Sequence, residues 1–88
     1  MSRGSQKELQ QKMEHYAVLI EHLVQRLQRK IPSLCDADEV FWIGIQASIE
    51  ALETFGRTHG VSEEQFVLMK INDAVLSFLL EKGWIEAA

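Results

Sequence analysis

Glu14-His15 and Glu21-His22 repeat a carboxylate–imidazole pair seven residues apart. Metal binding is the chemistry such pairs invite, because imidazole and carboxylate are common ligands. The spacing works against it. Two helical turns hold such residues ~10 Å apart, too far for one ion, whereas a shared helical site wants a spacing of three or four. The Glu-x-x-His pairing of di-iron bundles is absent as well. Both histidines fall away from the apolar side of their helix, so they read as exposed surface residues. No metal and no cofactor is expected, short of a site assembled across copies of the chain.

Cys35 is the single thiol. It rules out an internal disulfide and a cysteine-based zinc site, and it fits a reducing compartment. Lying just before Asp36, it reads as a small hydrophobe facing Val40 in a hydrophobic staple. The alternative is a reactive thiol, since a helix N-terminus lowers a thiol pKa. Ser33, Ser48 and Ser77 lack a Gly-x-Ser-x-Gly elbow and a recognisable base. Gly44, Gly56 and Gly60 lack the spacing and the lysine of a phosphate loop. Glu50 with Glu53 reads as a solvated face, and Glu63 with Glu64 as partners of a helix dipole. No catalytic residue emerges, and the chain reads as a non-enzyme.

Three helices have to position these residues. Ser5-Gln6-Lys7-Glu8, Asp36-Ala37-Asp38-Glu39 and Ser62-Glu63-Glu64-Gln65 each match the capping box. In that motif a small oxygen-bearing side chain and a Glu or Gln three positions later satisfy each other's backbone N–H groups. Each copy is followed at once by an apolar residue: Leu9, Val40 or Phe66. The first helix is expected over about Gln6 to Ile31, with Leu9, Met13, Tyr16, Ile20, Leu23 and Leu27 on one face. Arg26, Arg29 and Lys30 suit its negative end, and Pro32 stops it. The second is expected over about Ala37 to Thr58. Its polar stripe is Glu39, Gln46, Glu50, Glu53 and Arg57, and Gly44, Ala47 and Ala51 form a groove of small residues. Either Gly56 or Gly60 ends it.

The third helix is expected over about Glu63 to Lys82, with Gly83 past its end. Val67, Ile71, Ala74, Val75 and Phe78 form its core face, and Met69, Leu76 and Leu80 lie roughly opposite. Val61 and Phe66 make a second staple. Trp84 and Ile85 are expected to fold back on the bundle. The short link at Gly60-Val61 predicts an antiparallel hairpin of the second and third helices. The expectation is a single all-α, three-helix bundle over 5–88, after a disordered terminus at 1–4.

The 88 residues are 47% apolar and 25% charged, with a net charge of -4, an ordinary globular balance. That charge argues against coating nucleic acid, which rests on neutralising phosphates. No basic start leads into an apolar h-region, and Val40 to Ile49 is too short to span a bilayer. A cytoplasmic protein without membrane contact is the expectation.

His59-Gly60-Val61-Ser62-Glu63-Glu64-Gln65-Phe66 resembles the turn of helix-turn-helix DNA-binding proteins. Leu79-Leu80-Glu81-Lys82-Gly83-Trp84-Ile85 resembles the exit of a winged-helix recognition helix. That resemblance implies a DNA-associated regulator using the second and third helices. The would-be reading helix opens on two glutamates and offers only Lys70 and Lys82 to phosphates.

What capping and turns leave unexplained is apolar surface. The second helix is apolar over more than half its circumference, and the third carries two stripes. Trp42, Ile43, Met69, Leu76, Leu80 and Trp84 are therefore the candidate protein interface, since contiguous exposed apolar patches mark interaction sites. A homodimer is the simplest way to cover them. The reading is a non-enzymatic interaction module (adaptor, regulatory subunit or inhibitor) that binds itself and another protein. The helix-turn-helix regulator is the alternative.

Overall fold

The computed structural model describes residues 3–34, 36–57 and 60–86, the side chains of 3–6 and 57 excepted. Cys35, and with it the Cys35–Val40 staple, lies outside the described residues, as do Met1, Ser2, Thr58 and His59. Three helices make up the fold: α1 (Arg3–Lys30), α2 (Ala37–Thr54) and α3 (Glu63–Glu81), with a single 3₁₀ turn at Phe55–Arg57 after α2. No strand occurs among the described residues.

Only one of the three expected capping boxes forms. Ser62 sits in extended backbone (φ -76, ψ 163), and its hydroxyl accepts from the Gln65 N–H while the Gln65 side chain accepts from the Ser62 N–H, both at 3.1 Å. Asp36 also precedes its helix, but at φ -101, ψ 33 its side chain makes no capping bond. An N-cap side chain reaches the first turn from β-region backbone, which Asp36 does not adopt. Ser5 is not a boundary at all, because α1 continues back to Arg3. Once a helix is nucleated, each added residue gains a backbone bond, and nothing at Arg3-Gly4 forbids it. Ser62→Ala should therefore cost about 1 kcal/mol. Asp36→Ala should cost about 0.5 kcal/mol or less, the loss of a charge near a helix start. The midpoints of urea unfolding for the two variants check the difference.

The other helix ends are built as the residues predict, with one shift. α1 ends at Lys30, before Pro32. α2 ends at Thr54, short of Thr58, and tightens into the 3₁₀ turn. Gly60, not Gly56, takes the left-handed backbone (φ 87) at the α2–α3 link. α3 ends in a Schellman motif. Gly83 adopts φ 77, its N–H donates to the Leu80 carbonyl at 3.1 Å, and the Trp84 N–H donates to the Leu79 carbonyl at 2.9 Å. That turn lays Trp84 and Ile85 back against the core.

The core is built from Tyr16, Ile20 and Val24 of α1, Val40 and Ala51 of α2, and Val67, Ile71, Val75, Phe78 and Leu79 of α3, with Leu34 from the first link. Ser48 is fully buried among them, its hydroxyl donating to the Ile45 carbonyl at 2.7 Å. At Gly44 the side chain of α1's Ile20 packs directly on the α2 backbone. A Cβ there would stand 2.8 Å from Cγ2 of Ile20. The expected groove of small residues is thus divided: Gly44 receives α1, whereas Ala47 and Ala51 line the seam with Ala74 of α3. α2 runs antiparallel to α1, because Ile20 lies opposite Gly44 while Met13 lies opposite Ser48, and the short link after it turns α3 back along α2.

α1 outruns its partners. Its 28 residues span about 42 Å at 1.5 Å each, close to the molecule's longest dimension of 44 Å. Leu9 is on the apolar face as expected, but it is 48% exposed.

Candidate protein-binding surfaces

α1 and α3 are tied at one end. Lys12 Nζ pairs with the Glu63 carboxylate at 3.0 Å, and His15 Nε2 lies 2.8 Å from the Glu64 carboxylate. The first pair is partly exposed and the second more so, and surface pairs of this kind contribute about 0–1 kcal/mol each. Glu63 and Glu64 thus do more than sit in a first helical turn, although their neighbours on α1 were not apparent from the sequence. Tyr16 is buried at this tie. Burial pushes its phenol up from the usual 10.0, and the Glu63 and Glu64 carboxylates push it the same way.

A raised phenol pKa stabilises the fold below pH 10, and that contribution is lost as pH rises past 10. The melting temperature should therefore fall more steeply above pH 10 in the wild type than in Tyr16→Phe. Tyr16 is the only tyrosine, so phenolate absorbance in a pH titration reports this group alone. A midpoint at 10 or below would contradict the burial.

Farther along, α1 and α3 face each other across a gap. The space between them is an open groove of about 480 Å³. Leu19, Leu23, Leu68 and Ile71 form its floor, and His22, Gln25, Arg26, Arg29 and Asn72 form its rim. His22, read from the sequence as an uninvolved surface residue, is part of that rim. On the other side of α1, Met13 and Ala17 meet Phe41, Trp42, Ile45 and Ile49 of α2 around a shallower apolar hollow. Trp42 is 61% exposed there and stacks edge-on against Phe41, with ring centroids 5.9 Å apart.

No protein-family model, no curated protein and no solved structure matches the chain. The surfaces have to be read from their own residues.

The six interface candidates do not form one patch. Met69, Leu76 and Leu80 are 50%, 49% and 43% exposed. At ~100° per residue they share the side of α3 opposite Val67, Ile71 and Val75. Trp42 is equally wet but belongs to the hollow beside α1. Ile43 and Trp84 are half-buried and pack on the core. Ile49 and Val18 are exposed apolar residues that sequence reasoning passed over. The signal for Ile49 was available, since it lies one heptad after Trp42 on the same helical face. The α1–α3 groove had no such signal, because it depends on how two helices that are not neighbours in sequence are placed side by side.

Among the described residues no three His, Cys, Asp or Glu side chains converge as metal ligands would. Nor is any helix among the described residues long and apolar enough to cross a membrane.

Proposed function

We propose that the chain is a non-enzymatic protein-interaction module whose copies pair through the outer face of α3. The observation that carries this reading is the stripe of Met69, Leu76 and Leu80, each close to half exposed on the side of α3 away from the core. A helix packed on a bundle needs one apolar face, and α3 has two. The total surface supports the same reading. The chain exposes 6443 Å², against about 5300 Å² for a folded monomer of 10.1 kDa. The excess is comparable to the roughly 800 Å² that one partner contributes to a standard interface. A two-fold pairing places each stripe against its own copy, which closes the assembly. The hollow at Trp42 lies on another side of the molecule and is the second candidate surface, open to a different protein.

The helix-turn-helix alternative has less behind it. α2 and α3 lie side by side as a hairpin, with Ala47, Ala51 and Thr54 facing Lys70, Ala74 and Ser77 across one seam. A helix-turn-helix pair crosses at about 90–120°. Lys70 and Lys82, the two lysines of that segment, stand over the rings of Phe66 and Phe78.

Sedimentation velocity at tens of micromolar tests the proposal. A dimer is expected, and a compact 10.1 kDa monomer across that range would sink it.

A further inference from the structure

We propose that the α1–α3 groove is a docking site for an acidic amphipathic helix of a partner protein. This rests on reading the chain as a protein-binding module, but it uses a different surface from the outer face of α3. Three features of the groove identify the occupant.

The first is shape. The groove is long and open, and is bounded by two helices running in the same direction. The lining positions on α1 run from Leu19 to Arg29, about 15 Å of helix. A helix laid along it would complete a four-helix layer, as amphipathic helices do in apolar grooves. The second is the floor. Leu19, Leu23 and Leu68 are half-buried while Ile71 is covered, so an apolar ridge has somewhere to insert. The third is charge. The chain carries a net charge of -4, yet no carboxylate lines the groove among the described residues. Arg26 and Arg29 stand on its rim, both exposed and one turn apart, and neither is drawn into an ion pair among the described residues. Guanidinium groups on an apolar rim select for carboxylates flanking an apolar ridge. A basic or neutral helix would leave them unmatched.

The probes are two side-chain-stapled helical peptides of four turns. Both carry leucines along one face, and the flanking positions are glutamate in one and lysine in the other. Each is fluorescently labelled and titrated with the full chain at low salt. The glutamate peptide is expected to bind saturably and at least tenfold more tightly than the lysine peptide. R26E/R29E should weaken the glutamate peptide at least tenfold and bring the lysine peptide up. R26Q/R29Q, which is gentler on the last turn of α1, should fall between, with helicity by circular dichroism unchanged. L76E/L80E should bind the glutamate peptide as the wild type does.

Equal binding of the two peptides, or no saturable binding of either, would overturn the proposal. So would loss of binding in L76E/L80E with R26E/R29E unaffected, which places the peptide on the outer face of α3. Sedimentation of the same samples keeps the two readings apart, because pairing of copies is measured there without peptide.

Discussion

Ile20→Ala is expected to cost about 2–5 kcal/mol of folding stability, the range for truncating a buried isoleucine. For 88 residues total stability is on the order of 4–13 kcal/mol, so this loss is a large share. Ile20 is 1% exposed and packs against Gly44 of α2. The reciprocal change, Gly44→Ala, brings a methyl within 2.8 Å of Cγ2, 3.2 Å of Cγ1 and 3.3 Å of Cδ1 of Ile20. Overpacking of this kind costs about 1–3 kcal/mol. The better helix propensity of alanine returns about 1 kcal/mol, so the single variant should be destabilised modestly.

The double variant is the informative one. Ile20→Ala removes all three atoms that the new methyl would meet, and the methyl fills part of the space they leave. Gly44→Ala should then be neutral or stabilising, and the two losses should fall short of additivity by about 1–3 kcal/mol. Urea unfolding of the four proteins measures this directly. Additivity within about 0.5 kcal/mol would mean that α1 and α2 do not touch at this point.

Under the proposed pairing through α3, Leu76→Glu/Leu80→Glu is expected to yield a monomer with its helicity intact. Both side chains are close to half exposed, so the fold gives up little, and glutamate is a good helix former. The interface gives up much more. Across a two-fold each residue appears twice, so the double variant crowds four carboxylates into one apolar contact. Leaving a charge buried and unpaired costs about 3–5 kcal/mol, and a micromolar dimer is held by only about 8 kcal/mol. The opposite charge separates burial from charge pairing. Leu76→Lys/Leu80→Lys should dissociate the dimer equally, and it suits the negative end of α3 better. Sedimentation reads the mass and circular dichroism the helicity. A variant that loses its helicity would assign Leu76 and Leu80 to the core. One that stays dimeric would move the pairing to another surface.

Much of the architecture was legible along the chain because it is local. Pro32 cannot continue α1, Gly83 accepts the left-handed backbone that ends α3, and Ser62 with Gln65 opens it. The apolar period places Tyr16, Ile20, Val67, Ile71 and Val75 on inward faces whatever those faces meet. The same local reasoning overreached at Asp36, where the pattern was right but the backbone turned otherwise. It missed Ser48 and Leu79 in the core. The buried serine satisfies its hydroxyl within its own helix, and Leu79 is enclosed once the chain turns back at Gly83.

The sequence by itself determined three helices, where they begin and end within a few residues, and which side of each is apolar. Those properties follow from helix periodicity and from the backbone limits of proline and glycine, which act within a turn or two. The tertiary structure alone decided which apolar residues stay wet. Leu9 lies on the apolar face of α1 and is exposed all the same. Met69, Leu76 and Leu80 are exposed because α2 covers only one side of α3. The groove with Arg26 and Arg29 on its rim exists only because the fold sets α1 and α3 side by side. Burial depends on how helices far apart in the chain are packed, and no local spacing encodes that.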